Sequence, residues 1–456
     1  MKKIIFSALA GLLAMISVTQ QASAVPAFAR QTGMVCVACH QQHFPVLNIF
    51  GQSFKAGGYT MTGLAAEPPI EGDYMSIPGD LNAALVLKGR YVKTNGKDPA
   101  NTVSGTTINS GEWNIPDEFS LFFGGRIANN MGFLFEGNTT SPAGLIAGFK
   151  MPTLFDVGDV KLGITPYVTD TLGPFYGYDL ASTGQTRGVR WAEHRLDISA
   201  QQYTGMGAGP ATGFAFSAQH ELGYISFSRF SPNFLAPEGI KGVGGTAVAF
   251  KSNLLRVAAT PSVGDWDVQV GLGLISGSNY VEQDDPVTLG IALTAADKVD
   301  TKARSLDFQA FGKVGKHDLS VYATYAVVPY AVPVVGVTAG NAYHMAGVTS
   351  NVTGGGNFVG TNDVKAFTIG AEYSVVPHAL HLGAAYRNAK NGDVAAFEGD
   401  NSITLTAVYN FRQNVMMQIN HSMRSGSSYD AGGANDTTLA THNGKSLTTF
   451  MLATAF

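Results

Sequence analysis

The stretch ITLTAVYNFRQNVMMQINHSMR, residues 403–424, changes chemistry at every second position. Ile403, Leu405, Ala407, Tyr409 and Phe411 share one face, against Thr404, Thr406 and Asn410 on the other. The chain reverses at Arg412-Gln413-Asn414. Val415, Met417 and Ile419 then oppose Gln418, Asn420, Ser422 and Arg424. A period of two marks a strand with one apolar and one wet face.

The same alternation spreads outward from this hairpin. Phe367, Ile369, Ala371 and Tyr373 oppose Thr368, Glu372 and Ser374, and Leu380, Leu382, Ala384 and Tyr386 oppose His381 and Arg387. Leu319, Val321, Ala323 and Tyr325 form another stripe. Connections alternate between short turns (Val263-Gly264-Asp265, Gly315-Lys316-His317-Asp318, Val376-Pro377-His378) and long polar loops near 280–302, 331–363 and 425–445. Short turns on one rim and long loops on the other are the pattern of outer-membrane barrels. The last strand sets Phe450, Leu452, Thr454 and Phe456 on one face. Ending on an aromatic resembles the assembly signal of bacterial outer-membrane proteins.

Composition agrees. Charged residues make up only 14% and hydrophobic residues 45%, yet no later run of 18 apolar residues offers a membrane helix. The apolar residues are dispersed along strands instead. A crossing strand takes about 9–11 residues, and with its share of turns roughly 22–25. Residues 81–456 are therefore expected to form an all-β, transmembrane antiparallel barrel of 16 strands, with 14 and 18 as the neighbouring even counts. The segment 195–230 does not resolve cleanly into this pattern. Asp307, Glu372, Arg387 and Arg424 are expected to face the lumen.

The amino terminus predicts export. Lys2 and Lys3 precede an apolar core, Ile4 to Val18, and Ala22-Ser23-Ala24 is a small-residue cleavage site. Residues 1–24 thus read as a signal peptide. Its removal takes two of 29 basic residues and none of 33 acidic ones, leaving a mildly acidic chain unsuited to nucleic acid.

Both cysteines of the chain stand together in Cys36-Val37-Ala38-Cys39-His40. This is the attachment pattern of c-type haem. Two thiols add to the two vinyl groups, and the adjoining histidine coordinates the iron. Residues 25–62 are expected to form a monohaem segment with one covalent haem c, and 63–80 a linker. A redox disulfide lacks a surrounding thioredoxin-like βαβ pattern. Zinc would have to use Cys36, Cys39, His40 and His43, and the usual second ligand pair is absent. Met61 is the expected distal ligand, with His43 and Met75 as other candidates and Met34 too close in sequence to reach the opposite face. A helix over Pro45–Lys55, with Pro45 in its first turn and Gly57-Gly58 at its end, would turn the chain back to present Met61. So short a segment buries too little to enclose haem alone. The barrel wall is expected to complete the pocket from the periplasmic end.

VPAFARQTGM (25–34), the Cys-x-x-Cys-His motif and FPVLNIFGQSFKAGGYTM (44–61) resemble the amino-terminal region of outer-membrane cytochrome–porin fusions of iron(II)-oxidising bacteria. PDEFSLFFGGRI (116–127) resembles their first barrel strands. The close match covers about the first 60 mature residues. It implies a haem anchored at Cys36 and Cys39, ligated by His40 and Met61, and an outer-membrane location. It also implies electron transfer from extracellular Fe(II) to a periplasmic c-type cytochrome. Fe(III) precipitates near neutral pH, so such a centre keeps mineral outside the cell. Glu282, Asp284 and Asp285 are an acidic loop cluster able to attract Fe(II). A solute porin with a structural or sensory haem, or a fusion serving another donor, is the competing expectation. No nucleophile elbow or His-Glu-x-x-His motif supports a hydrolase.

Overall fold

A computed structural model of the chain describes residues 26–63, 70–71, 76–77, 82–96, 111–138, 146–186, 191, 194–233, 250–280, 298–332, 340–343, 361–412, 414–433, 436 and 444–456. The expected signal peptide, most of the linker, Met75 and the Glu282, Asp284, Asp285 cluster lie outside the described residues.

Among the described residues the alternating stretches form sixteen staves that close on themselves. The first five are β1 (Ala83–Thr94), β2 (Glu112–Ala128), β3 (Met131–Asn138), β4 (Ile146–Lys150, continued by Thr153–Val157) and β5 (Val160–Thr169). Next come β6 (Ala211–His220), β7 (Gly223–Ser231) and β8 (Ser252–Ala259, extended by Ser262–Val263). They are followed by β9 (Trp266–Ser276), β10 (Ala303–Val314) and β11 (His317–Val328). The circuit ends with β12 (Val364–Val376), β13 (Leu380–Asn391), β14 (Asn401–Arg412), β15 (Val415–Ser425) and β16 (Ser446–Ala455).

Every stave pairs antiparallel with its neighbours in sequence, and β16 closes on β1 from Leu447↔Thr94 to Ala455↔Val86. Phe456 extends that seam by exchanging backbone hydrogen bonds with Leu85 at 2.7 and 3.0 Å. Closure matters because an unpaired backbone group in hydrocarbon costs several kcal/mol. The terminal aromatic strand is therefore the seam of the cylinder.

The two faces of each stave have opposite chemistry. On β14, Ile403 and Leu405 are both 47% exposed on the outside, while Ser402 and Thr404 are 1% and 0% exposed inside. Phe367, Ile369, Leu382, Tyr386, Ile419 and Leu452 also face outward. Ser305, Gln309, Thr324, Thr368, Gln418 and Asn420 are buried inside. Apolar outside and polar inside inverts a water-soluble core and suits lipid contact. This is a transmembrane β-barrel. Asp307, Glu372, Arg387 and Arg424 all point into it, and each meets an oppositely charged side chain there.

Two chain segments enter the lumen. One is residues 26–63, which contact the wall near the short turns: Gln42 Nε2 donates to the carbonyls of Glu372 (2.8 Å) and Asp318 (3.3 Å). The other is the described part of residues 170–210 (170–186, 191 and 194–210), from the connection between β5 and β6, which contains helices Arg195–Ile198 and Ala200–Tyr203. This explains why the segment 195–230 resisted a strand reading: its first part folds inward, and only from Ala211 does the chain return to the wall as β6 and β7. Arg256 on β8 donates to Asp179 (2.9 Å) and bidentately to Asp307 (2.6 and 3.0 Å). Arg387 joins Asp197 to Asp400, the latter at 2.7 Å.

Candidate functional site

The site grows from the amino-terminal segment. Helix α1 (Pro26–Thr32) leads to a 3₁₀ turn over Cys36–Ala38, which bends the motif so that the backbone N–H groups of Cys39 and His40 both bond to the Cys36 carbonyl. Helix α2 (Ile49–Ala56) follows. It begins later than the expected Pro45 start, because Asn48 is the cap: its Oδ1 accepts from Gly51 N at 2.9 Å. Asn48 Nδ2 also donates to the Ala38 carbonyl (3.1 Å), so one side chain ties α2 to the cysteine turn. Gly51 is required where it stands, since a Cβ there would lie 2.1 Å from the Cys39 carbonyl oxygen. Gly57 ends the helix as expected.

His40 is buried, and its Nδ1 lies 3.1 Å from the Val46 carbonyl. A carbonyl only accepts, so Nδ1 carries the proton and the neutral ring has its lone pair on Nε2. This is the arrangement that orients a metal-ligating imidazole. Burial pushes the His40 pKa down to about 4, which keeps the ring neutral. The thiols shift the other way: burial pushes Cys36 up to about 12 and raises Cys39. Reactive redox dithiols need a lowered pKa. Both are free thiols, and their raised pKa values run opposite to that requirement. Among the described residues no group of three or more His, Cys, Asp or Glu side chains gathers as a metal cluster.

His40 lines two cavities. The larger, about 210 Å³, is walled by Phe28, Met34, Cys39, Phe44, Leu47 and Phe54 from the amino-terminal segment, and by Leu134, Lys150, Leu172 and Tyr176 from elsewhere. Phe28, Phe54 and Tyr59 pack as an aromatic trio with centroids 5.1 to 5.7 Å apart. The smaller, about 80 Å³, lies beside Cys36, His43, Lys88, Arg412 and Met416. An apolar chamber with a thiol, a tautomer-locked imidazole and a thioether on its wall is a donor set that fits an iron porphyrin.

The expected ligands do not all meet there. Cys39 and His40 share the larger cavity and Cys36 opens on the smaller one. Met61 is 38% exposed and lines neither; its carbonyl, not its thioether, is engaged, accepting from Gln31 Nε2 at 2.8 Å. Met34 lines the larger cavity instead, because the chain turns after α1 and brings it back over the site. His43 is turned to the wall, with Nε2 3.1 Å from Glu372 Oε2, and Trp191 Nε1 donates to that same oxygen at 2.8 Å. Burial lowers the His43 pKa, but the Glu372 charge and hydrogen bond outweigh it and the net shift is upward. Asn48, Gln42, the wall residue Lys150 and the lumen-segment residue Tyr176 were not foreseen. Asn48 alone left a readable signal, as an Asn directly before an apolar helical run.

The wall is shaped for this segment. A Cβ on Gly132 of β3 would sit 1.9 Å from the Gly58 carbonyl oxygen, so only glycine lets the chain approach. Val46 is buried with Trp191, Ile198, Phe311, Tyr322 and Ala385, and Leu47 N donates to Ser182 Oγ at 3.2 Å. The two lumen segments therefore touch.

No protein-family profile matches the sequence, and no curated protein matches it. Among solved structures the chain is similar to the outer membrane channel DcaP of Acinetobacter baumannii, at 12% identity and TM-score 0.44, covering 83% of this chain and 97% of that one. It is similar to the trimer form of OmpT from Vibrio cholerae, at 11% identity and TM-score 0.45, covering 83% and 99%. An anion-selective porin from Comamonas acidovorans matches at 13% identity and TM-score 0.44, again covering 83% and 99%.

Proposed function

We propose that this barrel lies in the bacterial outer membrane and carries one haem c, thioether-linked at Cys36 and Cys39 and ligated by His40. Through it, electrons pass from extracellular Fe(II) to a periplasmic c-type cytochrome. The observation that carries the reading is the seat of the motif. His40, its Nδ1 committed to Val46, faces an apolar chamber inside the barrel near the short turns. Short turns of outer-membrane barrels are periplasmic and long loops extracellular. The centre is then close to a periplasmic acceptor and shielded from the outer solution.

When bound, the haem supplies a one-electron Fe(III)/Fe(II) couple. The residues of the chain do the rest. Asn48 and Val46 hold the cysteine turn and the imidazole in register. Phe28, Phe44, Leu47 and Phe54 exclude water. Residues 170–210 occupy the lumen beyond the site, anchored by Arg256 and Arg387. That filling argues against free solute passage, since a transport porin would have to displace it.

The test is addition of Fe(II) to isolated outer-membrane fractions while recording haem absorption. Reduced bands in the wild type, absent in Cys36→Ser, are expected. A haem reduced by other donors and not by Fe(II) would reassign the donor. No reduction at all, with unchanged solute permeability in Cys36→Ser, would replace this reading with a porin whose haem is structural or sensory.

A further inference from the structure

The larger cavity is not uniformly apolar. One part of its wall is formed by Lys55 from α2, Lys150 from β4 and Tyr176 from the lumen segment. Lys150 is 5% exposed; its Nζ donates to the Tyr176 carbonyl at 3.2 Å and lies 4.5 Å from the Tyr176 ring and 5.6 Å from that of Tyr59. An ammonium has three donors, and one carbonyl answers only one of them. Among the described residues, neither Lys55 nor Lys150 reaches a carboxylate within ion-pair distance. The Tyr176 hydroxyl, on a side chain 4% exposed, has no hydrogen-bond partner among the described residues. The acids that act on the lysines through space are Asp179 from the lumen segment and Glu136 from β3.

A buried cation such as Lys150 without a counter-ion is costly, and so is an orphaned hydroxyl; Lys55 beside it is half-buried. Two cations and a donor at one end of an apolar chamber call for an apolar ligand that ends in carboxylates. A porphyrin has that shape: a flat apolar ring with two carboxylates on one edge. We infer that Lys55, Lys150 and Tyr176 form a carboxylate-binding end of this cavity, which receives the two carboxylates of the porphyrin tethered at Cys36 and Cys39. The inference rests on the haem reading and adds to it the residues that fix the ring's orientation.

The experiment is potentiometric titration of the purified, detergent-solubilised full chain across pH, for wild type, Lys55→Gln, Lys150→Gln, Lys150→Arg and Tyr176→Phe. Covalent haem is checked first by its reduced pyridine spectrum. A cation beside a carboxylate holds its pKa down. Each glutamine variant should therefore keep its haem and move the pH-dependent step in potential to higher pH. It should also favour the oxidised form by up to tenfold at neutral pH, which is 59 mV for one electron. Lys150→Arg should restore the wild-type profile, and Tyr176→Phe should give a smaller shift of the same sign. Haem-loaded glutamine variants with unmoved profiles would overturn the carboxylate site and leave the haem reading intact. A wild type without covalent haem would sink the haem reading itself. If added acetate or citrate alters the wild-type profile but not that of the glutamine variants, the site serves a diffusing carboxylate and the porphyrin assignment fails.

Discussion

Residues 26–63 and residues 170–210 both leave the wall and fill the lumen, but they are held by different forces. Among the described residues, the amino-terminal segment docks through aromatic packing, hydrogen bonds such as those of Gln42, and the ion pair His43–Glu372. The second segment is fixed by buried charge networks, in which Arg256 joins Asp179 to Asp307 and Arg387 joins Asp197 to Asp400. Tyr203 and Tyr429 add hydrogen bonds to Asp400 at 3.0 and 3.1 Å. The first segment carries the reactive side chains, and the second carries the clamps. The difference separates a ligand holder from a plug, and it predicts that their variants fail in different ways.

The largest contrast is expected from Cys36→Ser/Cys39→Ser. Haem staining after denaturing electrophoresis should fall from full to none while the barrel still folds and migrates as a closed cylinder. The seam between β1 and β16 does not involve the motif. Arg256→Met, which removes a clamp between Asp179 of the plug and Asp307 of the wall and leaves the bonds of residues 26–63 in place, should keep its haem. A colourless Arg256→Met protein would break the division of labour.

The next effect concerns the plug itself. Arg387→Met leaves Asp197 and Asp400 buried without their shared cation, and breaking such a pair costs about 3–5 kcal/mol. Residues 170–210 should loosen, giving new protease cleavage there and raised single-channel conductance in planar bilayers. The haem spectrum should change little. An unchanged conductance would mean that this segment does not seal the lumen.

A smaller, pH-dependent effect distinguishes two neighbours in the first segment. His43 has a raised folded-state pKa against an ordinary value of 6.5. Its contribution to docking is therefore complete below about 6.5 and is lost as pH rises through the raised value. His40 runs the other way: held near 4 by burial, it destabilises docking as pH falls from 6.5 toward 4, where only the undocked ring takes up a proton. In the haem-free Cys36→Ser/Cys39→Ser protein, protease protection of residues 26–63 should pass through a maximum between those limbs. Glu372→Gln should remove the alkaline limb alone. Loss of both limbs together would show that Glu372 does more than pair with His43.

How much of this was legible follows from which interactions are local. The period of two in residues 403–424 is written into consecutive side chains, so strand, face and lumen residues such as Glu372 could be read directly. Stave number followed from length and bilayer thickness. The motif Cys36 to His40 is equally local. The plug was not legible, because nothing near Asp179 or Asp197 in sequence names Arg256 or Arg387 as its partner. Those contacts exist only after closure brings distant staves around a common interior. Asn48 displaced Pro45 as the start of α2 because a cap is identified by the bond its side chain makes, and Pro45 offered a competing signal for the first turn.

The distal side of His40 shows the same limit at the scale of one atom and gives the finest test of the comparison. Sequence spacing favoured Met61, since a helix and a glycine turn would carry it back over the ring, and disfavoured Met34 as too close. The turn after α1 reverses that order, leaving Met61 38% exposed and Met34 on the cavity wall. A thioether ligand raises the potential of a c-type haem. Met34→Ala should therefore lower the potential and abolish any sulfur-to-iron charge-transfer band near the red end of the spectrum, while Met61→Ala leaves both as they were. The reverse outcome would mean that haem attachment draws residues 57–63 inward. The holder would then be remodelled by its ligand, whereas the plug, clamped by charge, is not.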